Sequence, residues 1–256
     1  MAAFFLATMP LSVTIITRNA ASQLGGCLAS VAFAEEVVVV DSGSTDGTRE
    51  LAGRHGARVI AKEWLGFGPQ KQFAVESASH DWVLCIDADE SVTDELRRSI
   101  VAELNEPRGF VYAMPRCNRF LGRWLRHGEG YPDWSVRLFH RGHAKWSSDQ
   151  VHEKVVTTAP VLRLRGDLLH DSAETLEKYL DKQNRYTSLQ AESLRASGRR
   201  ASLLQLVVSP SLRFVKFYLL RLGFLDGVAG LVHITIGCMN TFNKYAKLKA
   251  LERAPK

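Results

Sequence analysis

The sequence predicts an α/β fold: a doubly wound, mostly parallel sheet flanked by helices, with a helical extension towards the C-terminal end. Three observations carry this. Short apolar runs alternate with helical segments through the first hundred residues, which is how repeated strand–helix units read. Two of those runs, Val37-Val38-Val39-Val40-Asp41 and Cys85-Ile86-Asp87, end abruptly in acid. Buried parallel strands read this way when their carboxyl ends open into a ligand crevice. With 256 residues, 46% hydrophobic and 23% charged, the chain can bury one large domain with an appendage.

The elements follow in order. Residues 11–16 form a first strand, leading into a loop at Thr17-Arg18-Asn19, and a helix covers 21–32. Strand 37–40 runs into a Ser/Gly/Thr/Asp turn, where Asp46 caps a helix through Arg54, because its carboxylate accepts orphan backbone N–H bonds. Val59-Ile60 is a short third strand, Gly66 to Pro69 a loop, and 70–78 a helix. Strand 82–86 follows, then a helix capped by Thr93 and running to about Leu104. Past Pro107 the texture changes. A strand covers 110–114, but 116–150 is rich in Arg, Trp, Gly and His and reads as substrate-contacting loops. Val151, Val155-Val156 and 161–164 suggest short strands, and a helix spans 174–197. The expected boundary lies at 172, with 1–172 as one domain, divided into halves of about 10–115 and 116–172, and 173–256 as a helical region.

The net charge is +6 and the pI about 9.2. From Arg195 onward there are eleven Lys/Arg against only Asp226 and Glu252. Such a basic end suits nucleic acid or an anionic membrane, and no nucleic-acid-binding motif accompanies it. The segment beyond Leu203 is apolar and basic, with Arg213, Lys216 and Arg221 recurring inside it. It predicts amphipathic helices lying on an anionic bilayer rather than a spanning helix; the alternative is a helical cap packed on the first domain. Four widely spaced cysteines, Cys27, Cys85, Cys117 and Cys238, read as reduced cytosolic thiols. Met1 to Pro10 lacks a basic flank and runs straight into the first strand, so a signal peptide is not expected.

The chemistry is concentrated at Asp87-Ala88-Asp89. Two carboxylates one residue apart at a strand end can divide the work around a hard cation. One holds Mn²⁺ or Mg²⁺, and the other reaches a ribose or a metal-bound water. Charge neutralisation there would help a nucleoside diphosphate leave. Asp41 has a second reading as a cap of the turn at Ser42-Gly43, and Thr17 one as an ordinary strand-end hydroxyl. Lys71 and Arg137 suit a diphosphate or an acceptor phosphate. Arg123, Arg126 and Arg141 read as a solvated basic face. Trp134 reads equally as a sugar-stacking ring or a packed tryptophan.

Three stretches taken jointly, Ser12 to Asn19, Val40 to Thr48 and Asp87 to Glu90, resemble a family 2 glycosyltransferase of the GT-A (Rossmann-like) fold over roughly residues 10–170. Gly68-Pro69-Gln70-Lys71-Gln72, Arg137-Leu138-Phe139 and Val151-His152-Glu153-Lys154-Val155 are similar to bacterial lipopolysaccharide inner-core β-1,4-glucosyltransferases. The resemblance implies an inverting, metal-dependent hexosyltransferase, with one carboxylate deprotonating the acceptor hydroxyl. The expected donor is UDP-glucose and the expected acceptor a lipid-linked glycan, a lipopolysaccharide core heptose, at the inner face of a bacterial cytoplasmic membrane. Thr17 and Asp41 would then contact the uridine, Asp87 the ribose and metal, and Asp89 the metal, with His170 as a further metal ligand. Many relatives have a Glu-Asp pair where this chain offers His152-Glu153; Glu153 is the expected base and Asp149 its rival. Transfer to another surface glycan or a polyprenyl phosphate, or a non-catalytic sugar-nucleotide-binding scaffold, are the alternatives.

Overall fold

The computed structural model describes residues 9–149, 153–172 and 175–253. The chain divides into two compact units. The first holds the described residues through Arg116 together with Asp133–His170; the second holds Cys117–Pro132 and the described residues from Asp171 on.

In the first unit the strands β1 (Leu11–Thr17), β2 (Glu36–Asp41), β3 (Arg58–Ala61) and β4 (Trp82–Asp87) pair in parallel in the order β3-β2-β1-β4. In register, Thr17 stands opposite Asp41, and Ile16 opposite Asp87. The two acidic strand ends therefore flank the end of β1, as the sequence predicts. The sheet continues through β5 (Glu90–Val92) and β6 (Val111–Phe120) with further strands named below. Helices α1 (Ala21–Ser30), α2 (Thr48–Arg54), α3 (Phe67–Glu76) and α4 (Asp94–Asn105) complete the alternation.

Strand periodicity explains the two covered faces, since successive side chains point to opposite sides. Leu11, Val13, Ile15, Leu84 and Ile86 join Leu24 and Leu28 of α1 and Leu96, Ile100 and Leu104 of α4 in one apolar cluster. The alternate residues Val38 and Val40 pack with Ala74 of α3, and Val83 and Cys85 with Val75 and Ala78. Each fully buried Leu, Ile or Val side chain contributes about 1.5–3 kcal/mol relative to exposure.

Local chemistry sets the boundaries. Thr93 Oγ1 accepts from Leu96 N at 3.3 Å, capping α4 as expected. Asp46 sits one place further out than its predicted cap position, because Gly47 (φ 82°) precedes the helix; its carboxylate still accepts from Thr48 N and Ala21 N, both at 3.2 Å. Helix α3 begins at Phe67, three residues before the predicted start. Pro69 falls in its first turn, where the missing N–H is an orphan donor in any case.

The segment 116–150 corrects the loop expectation. β7 (Arg123–Trp124), β8 (Asp133–His140) and β9 (Ala144–Trp146) are strands, and β8 inserts antiparallel between β4 and β6. β10 (Val155–Thr157) pairs with β9, β11 (Val161–Arg163) with β6, and β12 (Leu168–His170) with β5. Val151 and His152 lie outside the described residues.

The second unit contains α5 (Leu176–Ala196), α6 (Leu203–Phe214) and α7 (Gly227–Arg253). Ser202 and Gln205 form a reciprocal capping box at the start of α6. Helical structure continues through Val215–Leu220, giving an 18-residue run of mean hydropathy 1.4 with none of it buried. By length and composition this run meets the requirement for crossing a membrane, contrary to the expectation that no segment does. Within this run Arg213 turns to Glu129 (Nε–Oε2 3.0 Å) and Thr241 (Nη1–Oγ1 3.1 Å). Of the arginines read as a solvated face, Arg141 pairs with Asp81, and Arg123 donates to Leu225 O. The backbone N–H of Arg126 donates to buried Asp226. The four cysteines are free thiols.

Candidate active site

Four of the predicted site residues meet in one ion-pair network in the first unit, and two more form a separate pair beside it. Asp87, at the end of β4, accepts from Arg137 Nη2 at 2.9 Å through Oδ2, and its Oδ1 stands 3.0 Å from Lys71 Nζ. Lys71 also donates to Glu153 Oε1 at 2.8 Å. Asp89 Oδ2 and His170 Nε2 lie 3.3 Å apart, brought together because β12 pairs with β5 and sets His170 opposite Glu90. Burial alone would raise the Asp87 carboxyl; the opposing charges of Arg137 and Lys71 outweigh it and hold Asp87 below the usual carboxylate range. Arg137 is desolvated as well, which works against its charge, but Glu90 and Asp87 more than compensate and raise it.

The run Gly68-Pro69-Gln70-Lys71-Gln72 supplies much of the scaffold. A Cβ at Gly68 would collide with the carbonyl oxygens of Ser147 and Asp149, so only glycine lets that segment lie on α3. Gly68 N donates to Asp149 O at 3.1 Å. Gln70, fully buried, donates to Ser42 Oγ at 3.0 Å and so ties α3 to the turn after β2. Gln72 Oε1 accepts from Trp146 N at 2.9 Å. One helical turn thus fixes Lys71 and the approach of the chain to Glu153.

Asp41 stands at the end of β2, against the turn that follows it. It is fully buried, and Oδ1 accepts from Gly43 N and Ser44 N at 3.1 and 2.9 Å, while Oδ2 accepts from Ser44 Oγ. Its oxygens organise the turn, in keeping with its second reading, and it does not line the cavity described next. That turn is stitched to the loop after β1: Asn19 N donates to Ser44 Oγ, and Thr45 N to Asn19 Oδ1, both at 2.8 Å.

A cavity of about 540 Å³ is lined by Thr17, Arg18, Asn19, Trp64, Phe67, Lys71, Asp87, Asp89, Glu153 and His170. Thr17 is buried, and its Oγ1 has no hydrogen-bond partner among the described residues. A buried hydroxyl left in this way calls for a ligand or water partner. Trp64 and Phe67 meet edge to face, centroids 4.8 Å apart, and are both about half exposed. Asp149 is exposed and lines neither this cavity nor the neighbouring one.

Sequence reasoning gave no role to Glu90, Arg116 or Trp146. Glu90 is fully buried, accepting from Arg137 Nη2 at 2.6 Å and from Asp87 N at 3.0 Å. Arg116 Nη1 stands 3.7 Å from the same carboxylate. Trp146 places its ring under Lys71 and Arg137, at 4.8 and 5.9 Å, and donates Nε1–H to Cys85 Sγ. The available signal was the excess of acid in Asp87-Ala88-Asp89-Glu90, since a buried carboxylate needs a cation. Nothing local names which cation.

The model of the family described as Glycosyl transferase family 2 matches residues 12–163. The lipopolysaccharide core biosynthesis glycosyltransferase LpsC of Rhizobium meliloti (strain 1021) is 32% identical over 253 residues, covering 94% of this chain and 92% of its own. The chain belongs to glycosyltransferase family 2. An uncharacterized glycosyltransferase of Rickettsia typhi (strain ATCC VR-144 / Wilmington) is also 32% identical, over 94% of this chain and 87% of its own. Among solved structures, S. aureus TarS 1-349 in complex with UDP superposes with a TM-score of 0.50 at 16% identity, covering 96% of this chain and 91% of that one. That likeness is one of fold. The glycosyltransferase therefore has the GT-A-like architecture, a mostly parallel mixed sheet with C-terminal helices.

A divalent cation has a partial fit to this glycosyltransferase. A carboxylate oxygen and an imidazole nitrogen 3.3 Å apart are a reasonable pair of ligands for Mn²⁺ or Mg²⁺. Asp87 is less available than the sequence implies, because both its oxygens are engaged by Lys71 and Arg137. Among the described residues no group of three His, Cys, Asp or Glu converges on one point. Phosphate oxygens and water would have to complete the coordination.

Proposed function

We propose that the protein transfers a hexose, glucose from UDP-glucose, with inversion onto a heptose of the lipopolysaccharide core. The observation that carries this is the position of Glu153. Among the described residues it is the one carboxylate that lines both the 540 Å³ cavity and a neighbouring cavity of about 400 Å³. A base in direct displacement needs that position, with donor on one hand and acceptor on the other. An acceptor in the lipopolysaccharide core is supported by the 32% identity to LpsC, a lipopolysaccharide core biosynthesis glycosyltransferase. Residues 1–172 would be the catalytic domain, with the donor held by 10–115 and the acceptor by 116–172.

In this reading the base and ribose lie against Thr17 and the Trp64–Phe67 rim and Lys71 faces the diphosphate, whereas Arg137, which the sequence suggested for the diphosphate, lines the neighbouring cavity. Asp89 and His170 would hold Mn²⁺ or Mg²⁺, which when bound supplies charge neutralisation for the departing UDP. Glu153 accepts the proton of the acceptor hydroxyl. The oxygen attacks the anomeric carbon, and the bond to the diphosphate breaks with its electron pair leaving on UDP. Lys71 pairs with both Asp87 and Glu153, so a diphosphate drawing on Lys71 would free Glu153 for the proton.

The test is Glu153→Gln. It should bind UDP-glucose as the parent does in calorimetry, while transfer falls at least about a hundredfold, the scale of a lost general base. Unchanged turnover would remove Glu153 as the base.

We also propose that residues 173–256 hold the protein to the inner face of the cytoplasmic membrane. Leu203, Leu204, Val207, Leu212 and Leu220 are each more than 60% exposed, and Lys216 and Arg221 stand among them. Co-sedimentation with anionic liposomes should be lost in the triple variant Leu204→Gln, Val207→Gln, Leu220→Gln; equal pelleting would refute membrane docking through this helix.

A further inference from the structure

The 400 Å³ cavity has a chemistry of its own. Besides Glu153 it is lined by Arg116, Trp134, Ser135, Arg137 and Lys154, within the first unit. Among the described residues no acid other than Glu153 lines it, and Glu153 is already tied to Lys71. Arg116 is locked in place by Asp133, with Nε and Nη2 at 2.9 and 2.7 Å from Oδ2. Arg137 is 5% exposed, and its Nε has no hydrogen-bond partner among the described residues. Lys154 is exposed, and its ammonium has no ion pair among them. Trp134 is 38% exposed, and the guanidinium of Arg163 stands 4.5 Å from its ring centroid.

Arg116, Arg137 and Lys154 therefore line one cavity with the Trp134 indole, whose ring also meets the guanidinium of Arg163. A neutral sugar would use the indole, whose apolar face suits the C–H face of a pyranose, but would leave the Lys154 ammonium without a counter-charge. A bare anion would use the cations and leave the indole unused. We infer that this cavity is an acceptor subsite for a sugar carrying an anionic substituent, phosphate or carboxylate, with the ring on Trp134 and the anion on Lys154 and Arg116. The inference rests on the reading of Glu153 as the base between donor and acceptor. It goes beyond that reading by assigning the acceptor a charge and naming the residues that select it.

The experiment follows the indole N–H resonances of the full ¹⁵N-labelled chain, with Trp134 assigned through Trp134→Phe. Mannose 6-phosphate, glucuronic acid, mannose, inorganic phosphate and UDP are titrated separately. The Trp134 resonance should move with mannose 6-phosphate or glucuronic acid, and much less with mannose or phosphate alone. The dissociation constant should rise about tenfold in Lys154→Met, the size of one lost charge-assisted contact. Preference for one anionic sugar over the other would identify the substituent. UDP should instead move Trp64, which lines the larger cavity. A Trp134 response as strong to mannose or to phosphate alone, an unchanged constant in Lys154→Met, or no response to either anionic sugar would overturn the inference. A silent Trp64 in the UDP titration would instead count against the donor site, whatever the sugar arms show.

Discussion

Replacing Arg137 with Met keeps most of the side-chain volume and deletes a charge that two carboxylates share. Nη2 stands 2.6 Å from Glu90 Oε1 and 2.9 Å from Asp87 Oδ2, and Glu90 is fully buried. Each contact carries about 4 kcal/mol or more of bare attraction at an effective dielectric near 20. Most of that offsets desolvation, so the intact cluster adds little net stability; removing one partner costs far more, because the other charge stays buried. Both acids keep a second cation. Arg116 Nη1 is 3.7 Å from Glu90, and Lys71 Nζ is 3.0 Å from Asp87. The expected loss is therefore at the lower end for a broken buried pair, about 3 kcal/mol.

Urea unfolding followed by tryptophan fluorescence measures it. At a slope of about 3 kcal/mol/M, the midpoint should fall by about 1 M with the slope unchanged. Glu90→Gln removes the stranded charge, so the double variant should cost less than the sum of the singles, by about 2 kcal/mol. The Asp87 carboxyl, held low in the parent, should also rise. A depressed carboxylate contributes stability above its unfolded pKa and loses it as pH falls through its folded pKa, so raising the Asp87 carboxyl should make the acid-side loss of stability from this group smaller in Arg137→Met than in the parent. A cost below about 1 kcal/mol together with an additive cycle would refute the argument that Glu90 depends on this guanidinium.

Glu36 should give a second acid-side loss: burial alone would raise its carboxyl, but bonds from Ser12, Ser79 and Arg58 lower it to about 2. That stability is present above about pH 4.5 and lost as pH falls towards 2, roughly 2 kcal/mol after screening at the half-exposed Arg58, and Glu36→Gln should flatten the curve there. Gly68→Ala should cost about 1–3 kcal/mol, because the new methyl must push the Ser147–Asp149 backbone off α3. The same shift moves the approach to Glu153, so kcat should fall more than UDP affinity; equal loss of both would show that the whole cavity has moved.

The parallel half of the sheet was legible because buried parallel strands leave a local trace. Val37 to Val40 and Val83 to Ile86 are apolar on both faces, and the acids at their ends stand out against that run. The residues 116–150 left no such trace. β8 alternates Trp134, Val136 and Leu138 with Ser135, Arg137 and Phe139, so a charged residue stands where an apolar one would mark a buried strand. Arg137 is buried there because Asp87 and Glu90, some fifty residues earlier in the chain, supply its counter-charges. That pairing exists only once β4 and β8 are neighbours, and no window along the sequence contains it.

The choice between Glu153 and Asp149 has the same origin. Both acids follow Trp146 within a few residues, and neither sits in a periodic pattern that fixes its direction. What separates them is α3. Gly68 draws the backbone of Asp149 onto the helix, while Lys71, one turn on, pairs with the side chain of Glu153. Asp149 therefore serves the scaffold through its carbonyl, and Glu153 presents its carboxylate to both cavities. The run Gly68-Pro69-Gln70-Lys71-Gln72 held that information in advance, since a glycine and a lysine three residues apart in the first turn of a helix mark a close backbone approach beside a charge. Reading it required knowing which strand the helix packs against, and that is a property of the assembled sheet.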